Sequence, residues 1–277
     1  MPDRKERQEI AKQAARLLED VAVEQPLVQS ITNFVAMDIA ANALLALGAS
    51  PIMVRDAEES AELAPAIGAL VINIGTLTRE AADQMEAATT SARVHGKPWL
   101  LDPVGAGGLT LRNRTSTRLL RHRPAIVRGN GSEIIALARH QGLTFVSGAP
   151  RGVDSTSEYT DAENAAQKFA RQNLCTVVAT GAIDIVTNGE RTIRIANGAP
   201  MMARVTALGC SLSSVMGAFL AVAPSPFDAA LAATIVYGVA GEMASEKAEG
   251  PASFRTLFLD TLYALRGSDI QSRLKMV

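Results

Sequence analysis

The segment 205-VTALGCSLSSVMGAF-219 reads as a turn that opens directly into an apolar helix. Gly209 lacks a Cβ atom, so the backbone there can approach a ligand closely. The backbone N–H groups of Ser211 and Leu212 follow, and N–H groups at a helix start have no partner in a preceding turn. Together with the helix dipole they predict an anion site. Cys210 stands at the same helix start, where a thiol is expected to shift toward thiolate.

A second interpretation of this segment is a buried helix in which Cys210 is simply a small apolar residue. The rest of the chain decides between the two. The uncharged stretch 205–227 also suggests a membrane span, but Ser213 and Ser214 interrupt it and Pro224 ends its apolar part. A span needs about 20 predominantly apolar residues, so the sequence predicts a buried helix and no membrane partner.

Composition narrows the class of protein. The 277 residues are 48% hydrophobic and only 4% aromatic, with a formal net charge of −1. A near-neutral chain with few aromatic residues lacks the basic field and stacking surfaces that bind nucleic acid. Two cysteines, Cys175 and Cys210, are too few for a disulfide framework, and the charged N-terminus lacks the apolar core of a signal peptide. We therefore expect a cytoplasmic protein with small-molecule ligands.

Apolar runs and helical patterns alternate along the chain. Short apolar runs predict strands at 27–31, 51–54, 69–74, 98–102, 125–128 and 175–180. Amphipathic or capped segments predict helices at 5–20, 34–47, 57–64, 78–95, 132–139, 161–173 and 229–247, with Asn33 as the cap of the second; a looser section covers 141–160. Asn188-Gly189 predicts a hairpin between strands at 183–187 and 191–195. The pattern indicates an α/β fold with a mostly parallel central sheet covered on both faces, as one domain over 1–277.

Polar residues gather where the predicted parallel strands end, which is where ligands bind in such sheets. Asp102 precedes a glycine-rich loop and is a candidate for holding Mg²⁺ through water, although Asp also commonly closes its own turn. Arg128 is a candidate for pairing with a phosphate. Glu133 is a candidate second carboxylate near the metal, or else a first-turn residue stabilised by the helix dipole.

Other nucleotide and acyl-transfer signatures are absent from the sequence. No G-x-x-x-x-G-K-[ST] motif occurs, and Ile134 replaces the third glycine of the G-x-G-x-x-G pattern that starts at Gly129. No G-x-S-x-G motif occurs either. These absences exclude a P-loop enzyme and weaken a dinucleotide-binding or serine-hydrolase interpretation.

Taken together, the motifs resemble those of the hydroxyethylthiazole kinase family, within the ribokinase-like superfamily. The resemblance runs from about residue 27 to Phe254. Its motifs are Ser30-Ile-Thr-Asn33, 43-ALLALGASP-51 with Met53, Asn73-Ile-Gly-Thr76, Leu101-Asp-Pro-Val104, Arg128-Gly-Asn130 with Glu133, Ala179-Thr-Gly181, Gly209-Cys210, Gly250-Pro251 and Ser253-Phe254.

The resemblance implies a single-domain ribokinase-like three-layer α/β/α fold and an activity. The activity would be ATP-dependent phosphorylation of 4-methyl-5-(2-hydroxyethyl)thiazole for thiamine salvage, with Mg²⁺, in a homotrimer whose thiazole site lies between subunits. By motif, the implied thiazole contacts are Met53, Asn33 and Ala207. The implied ATP contacts are Arg128, Thr180 and Gly209, and Asp102 and Glu133 would serve the metal. Cys210 would stand where related sugar kinases place an Asp base.

The loop before the helix departs from the family pattern. The usual Thr-Gly-Ala-Gly-Cys is here Thr206-Ala-Leu-Gly-Cys210. Because Ala resists a positive φ, the loop is expected to lie slightly differently at Ala207, and Leu208 adds bulk. We expect this change to affect substrate selectivity more than reaction class.

Two alternative functions stay open at this point. One is a related enzyme of the superfamily, either a kinase for another small alcohol or an ATP-dependent hydrate dehydratase. The other is a non-catalytic nucleotide sensor in which a thiol has replaced the base. The set of Asp102, Arg128 and Glu133 argues against the sensor, because binding alone does not require it.

Overall fold

A computed structural model describes residues 3–144 and 155–277 of the chain. Eight strands lie in the described part: β1 Leu27–Ile31, β2 Ser50–Ile52, β3 Ala69–Asn73, β4 Trp99–Asp102, β5 Ile126–Asn130, β6 Thr176–Thr180, β7 Asp184–Thr187 and β8 Thr192–Ile195. Its helices are α1 Arg4–Glu24, α2 Met37–Ala46, α3 Ala57–Leu63, α4 Arg79–Val94, α5 Thr110–Leu120, α6 Gly131–His140, α7 Ser155–Asn173, α8 Leu208–Val222, α9 Pro226–Ser245, α10 Pro251–Ala264 and α11 Gly267–Arg273, with a 3₁₀ helix at Pro200–Arg204.

The strands form one sheet in the order β2-β1-β3-β4-β5-β6-β7-β8. The pairs from β2 to β6 are all parallel, and the last two pairs are antiparallel. The turn between β7 and β8 contains Asn188-Gly189, with Gly189 at φ 91°, as the hairpin signal predicts. The predicted α/β class, with a mostly parallel sheet and a late hairpin, is confirmed.

Side chains alternate between two cores, one on each face of the sheet. Val71 and Leu100 belong to the core under α1, α2 and α8–α11, whereas their neighbours Ile72 and Leu101 belong to the core under α4, α6 and α7. Strands buried on both faces carry continuous apolar runs. The three layers follow directly from those runs.

Helix α8 lies very close to the sheet. A Cβ atom on Gly217 would fall 2.5 Å from Val71 Cγ2 and 3.0 Å from Val28 Cγ1. The next helix, α9, is long and apolar enough to cross a membrane, but 83% of its most apolar window is buried inside the protein. Both helices are therefore part of the core. The packing of α8 on the sheet also fixes the position of its N-terminus relative to the strand ends.

Several local predictions were wrong. Helix α2 begins at Met37 rather than residue 34, and Asn33 Oδ1 accepts the Ala36 N–H (3.1 Å) within the preceding turn instead of capping the helix. Helix α5 was not predicted, because its start carries no side-chain cap and its buried face includes Thr115 and Ser116. The predicted loose section 141–160 is helical from Ser155 onward, and its part at 145–154 lies outside the described residues.

Candidate functional site

The site lies where the parallel strands end and α8 begins. Neighbouring strands β1, β3, β4, β5 and β6 bring five polar side chains to this edge: Asn33, Asn73, Asp102, Arg128 and Thr180. Asn73 and Asp102 are register partners on β3 and β4. The predicted gathering of polar residues at one edge of the sheet is therefore present.

The start of α8 is open to an anion. Ala207 is its N-cap residue, at φ 64° and ψ 8°, with no side-chain hydrogen bond to the helix. The Ser211 N–H donates to the Ala207 carbonyl (2.9 Å), so the expectation that Ser211 and Leu212 supply free N–H groups was wrong. The helix begins at Leu208, and the N–H groups without an intrahelical partner are those of Leu208, Gly209 and Cys210.

Arg128 lies against this helix start. Its side chain is buried, Nη2 donates to Thr180 Oγ1 (2.7 Å), and Nε has no partner among the described residues. A Cβ atom on Gly209 would fall 3.0 Å from both Nη1 and Nη2. The missing Cβ atom at Gly209 therefore lets the guanidinium reach the helix. The Arg128 guanidinium and the N-terminus of α8 together concentrate positive charge.

Asp102 is fully buried and has one free oxygen. Its Oδ2 accepts from Asn73 Nδ2 (2.7 Å) and Ser213 Oγ (2.7 Å), and lies 3.7 Å from Arg128 Nη1. Its Oδ1 is buried with no partner among the described residues. Burial raises the pKa of Asp102 to about 6, against the opposing effect of Arg128. An unpartnered carboxylate oxygen is what a cation would satisfy.

Glu133 ties two loops together. Its Oε2 accepts the Asn130 N–H (2.8 Å) in a capping box, and its Oε1 accepts the Gly105 N–H (2.8 Å). The first-turn interpretation of Glu133 therefore holds. The negative charge of Glu133 also raises the pKa of Asp102. A metal role for Glu133 stays a prediction, and within residues 3–144 and 155–277 no cluster of three or more His, Cys, Asp or Glu residues could hold a metal.

The Cys210 thiol is not shifted toward thiolate. Burial, and then the charge of Asp102, raise the pKa of Cys210. Asn33 Nδ2 donates a hydrogen bond to its sulfur (3.3 Å). The sequence-based expectation of a thiolate was wrong because the helix dipole is outweighed by burial beside a carboxylate.

The loop after β2 leaves the sheet at the same edge as the residues after β1, because the two strands pair in parallel. Met53 is half-buried in this loop, and the guanidinium of Arg55 lies 4.4 Å from the ring centre of exposed Phe34, which follows Asn33. Met53 and Asn33 thus follow adjacent parallel strands. On the other side of Arg128, a cavity of about 600 Å³ is lined by Thr180, Gly209 and residues near the 3₁₀ helix.

Sequence reasoning did not single out Ser213, and it noted Asn73 at a strand end without giving it a catalytic, binding or metal role. Ser213 lies three residues after Cys210 on α8, so the spacing places it on the same face of the helix. That spacing was the available signal for Ser213. Asn73 is the one polar residue of an apolar strand, and its position at the strand end was its signal.

Replacing Ala207 with Gly should stabilise the protein. Ala207 adopts the left-handed conformation, which costs a non-glycine residue roughly 1–2 kcal/mol, while glycine adds about 0.4–1 kcal/mol of unfolded-state entropy. We expect Ala207→Gly to raise the free energy of unfolding by about 0.5–1 kcal/mol in urea titrations. The matched control Ala252→Gly, at an exposed position in α10, should lower it by a similar amount; equal signs would contradict the account.

Comparisons with known proteins identify the family of the chain. The model of the hydroxyethylthiazole kinase family matches residues 18–268. A hydroxyethylthiazole kinase from Cereibacter sphaeroides is 50% identical over 248 residues, covering 90% of this chain and 92% of that protein. One from Nitratidesulfovibrio vulgaris is 47% identical over 262 residues, covering 94% and 96%.

A solved structure has the same fold. The structure of a hydroxyethylthiazole kinase protein from Pyrococcus horikoshii OT3 superposes with a TM-score of 0.88 at 38% identity, covering 95% of this chain and 98% of that one. The ribokinase-like fold implied by the motifs is thereby confirmed. With the family model spanning most of its length and relatives near half-identical throughout, this chain belongs to the hydroxyethylthiazole kinase family.

Proposed function

We propose that the protein phosphorylates the hydroxyethyl group of 4-methyl-5-(2-hydroxyethyl)thiazole with ATP, as a salvage step toward thiamine. The observation that carries this proposal is the meeting of three groups at the start of α8. They are the open N–H groups with Arg128, the free oxygen of Asp102, and the Cys210 thiol. Phosphoryl transfer requires such positioning and charge stabilisation rather than covalent chemistry.

The nucleotide is expected in the cavity beside Arg128. Its volume of about 600 Å³ is within the usual range for ligand pockets, and Gly209 is among the residues that line it. The transferred phosphoryl group would then lie against the N–H groups of Leu208, Gly209 and Cys210. Arg128, held by Thr180, would neutralise charge on the equatorial oxygens.

The residues present fit a magnesium ion. Asp102 Oδ1 is a buried acceptor without a partner, and Mg²⁺ binds through one or two carboxylates while keeping several waters. We propose that Asp102 holds the ion directly or through water, with Glu133 near its water shell. When bound, the ion neutralises charge on the nucleotide phosphates.

We propose that the acceptor alcohol binds on the opposite side, between Cys210 and the loop after β2. Met53 and Ala207 are the expected thiazole contacts there, while a thiazole contact of Asn33 stays a prediction because its amide already has partners. The alcohol oxygen forms its bond to the γ-phosphorus of ATP as the bond from that phosphorus to the leaving ADP breaks, and the alcohol proton passes to solvent water. Because the pKa of Cys210 is raised, its thiol orients the hydroxyl near neutral pH.

The deciding experiment incubates the protein with ATP, Mg²⁺ and a panel of alcohols, with products identified by mass. The expected result is a monophosphate of the thiazole alcohol. A product only from pyrimidine or sugar alcohols would indicate a related kinase, and turnover of a nicotinamide-nucleotide hydrate would indicate a dehydratase. ATP binding without any product would favour a nucleotide sensor.

Substitutions of Cys210 separate an orienting group from a structural one. Cys210→Ala is expected to lower kcat roughly tenfold, since it removes the group that faces the hydroxyl. Cys210→Asp should keep or raise kcat, because a carboxylate can accept the alcohol proton. Steady-state assays on variants with unchanged melting temperatures give the comparison. A folded but inactive Asp variant would remove Cys210 from the acceptor side.

We also propose that the protein works as a homotrimer in the cytoplasm, as one domain over 1–277. Phe34 and Val35 are 62% and 58% exposed beside Asn33, so an apolar surface adjoins the proposed thiazole side. Light scattering should give three times the 29.2 kDa mass of the chain. A monomer with full activity would contradict a site shared between subunits.

A further inference from the structure

A chain of two amides links the thiol to the buried carboxylate. Asn33 Nδ2 donates to Cys210 Sγ (3.3 Å) and to Asn73 Oδ1 (3.0 Å), and Asn73 Nδ2 donates to Asp102 Oδ2 (2.7 Å). Asn73 and Asp102 are completely buried, and Asn33 is 6% exposed. The chain therefore runs beneath the site, from the acceptor side to the metal side.

The direction of each amide is fixed by a backbone N–H group. The Ala36 N–H donates to Asn33 Oδ1 (3.1 Å), and the Gly75 N–H donates to Asn73 Oδ1 (2.9 Å). An oxygen that accepts from a backbone N–H cannot be exchanged with the amide nitrogen without losing that bond. The nitrogen ends must therefore point to the sulfur and to the carboxylate.

The pair is also held tightly in place. A Cβ atom on Gly75 would fall 2.7 Å from Asn33 Cβ, so the Gly75 backbone packs directly against Asn33. Both hydrogens on Asn33 Nδ2 are used inside the site. Asn33 has no further donor to offer a thiazole ring.

We infer that Asn33 and Asn73 are positioning residues for Cys210, and that Asn33 is not primarily a substrate contact. The Asn33 N–H occupies one lone pair of the sulfur, which leaves the S–H proton and the other lone pair of the thiol for the acceptor alcohol. Asn73 holds the Asn33 amide in this orientation through its Oδ1, and the Asn73 side chain also hydrogen-bonds the Cys210 thiol directly. This inference rests on the proposed function, because it concerns the alcohol that Cys210 faces.

The test is a set of double-mutant cycles on kcat and KM. Asn33→Ala and Asn73→Ala should each lower kcat roughly tenfold, with the KM for the alcohol changed less than twofold. In the Cys210→Ala background, Asn33→Ala should have less than a twofold further effect, because there is no thiol left to orient. Asn73→Ala should keep in that background only the part of its effect that comes from its hydrogen bond to Asp102 Oδ2. Ser213→Ala is the matched control. It removes another donor to the same Asp102 oxygen without touching the chain to Cys210, so its effect should persist fully in that background.

Two results would overturn the inference. One is a tenfold or larger rise in KM for Asn33→Ala at unchanged kcat, which would make Asn33 a substrate contact. The other is full additivity of Asn33→Ala with Cys210→Ala. If Asn73→Ala melts below the assay temperature, the Asn33 cycle decides alone. The cycles use whichever alcohol the wild-type protein phosphorylates. Loss of the thiazole as a substrate therefore overturns only the proposed function, whereas phosphorylation of no alcohol overturns both.

Discussion

Asp102→Asn is expected to reduce kcat by on the order of 10³-fold while the protein stays folded. The substitution keeps the size of the side chain and removes the negative charge from the free oxygen that we propose for the metal. The wild-type carboxylate is already disfavoured by burial, which raises its pKa to about 6. Loss of the charge should therefore cost little stability, and the melting temperature should change by only a few degrees.

The dependence of the reaction rate on Mg²⁺ concentration distinguishes a metal-binding role of Asp102 from a general structural effect of the substitution. For Asp102→Asn, the residual activity should need far more Mg²⁺ for half-maximal rate, or should no longer respond to it. Ser213→Ala keeps the carboxylate and removes one of its hydrogen bonds, so it should shift the Mg²⁺ requirement only modestly. An Asp102→Asn enzyme with unchanged kcat and Mg²⁺ response would exclude Asp102 from the site.

Gly217→Ala should destabilise the protein although it adds only one methyl group. Its new methyl group would fall 2.5 Å from Val71 Cγ2, a distance that forces α8 away from the sheet. Overpacking of a dense core costs typically 1–3 kcal/mol. We expect about 2 kcal/mol less stability in urea titrations, together with a lower kcat, since the same helix carries Cys210.

A second substitution should reverse much of this loss. Val71→Ala removes the methyl group that the new side chain would strike, so Gly217→Ala combined with Val71→Ala should be less destabilised than the two separate losses add up to. Val71→Ala alone should be destabilised by cavity formation. Strict additivity would show that α8 does not touch the sheet at this point.

The strands and helix ends of the fold could be predicted from the sequence, because they depend on local patterns of residues. Apolar runs marked the strands, Asp56 caps α3 by accepting the Glu58 N–H (2.8 Å), and Gly48 follows the end of α2 at φ 89°. These features depend on a few adjacent residues. They could be identified without knowing how the strands pair.

The site was less predictable because its properties depend on distant residues. The pKa of Cys210 is set by burial and by Asp102, more than 100 positions earlier in the chain. The Asn33 side chain looked like a helix cap, yet its partners are Asn73 and Cys210. Ser213 is an ordinary helical serine until the fold brings it to Asp102. The motif resemblance named most of the residues, but it could not supply the hydrogen bonds between them.

The close packing of α8 against the sheet limits how the preference for the acceptor alcohol can be redesigned. The free N–H groups, the Cys210 thiol and the Ser213 hydroxyl all lie within about one and a half turns of α8. A side chain at Gly217 would not fit between this helix and the sheet. Substitutions along α8 are therefore expected to disturb nucleotide binding and acceptor binding together. The loop after β2 follows an edge strand paired on one side only, so a library centred on Met53 offers the freer route to enzymes that take bulkier alcohols.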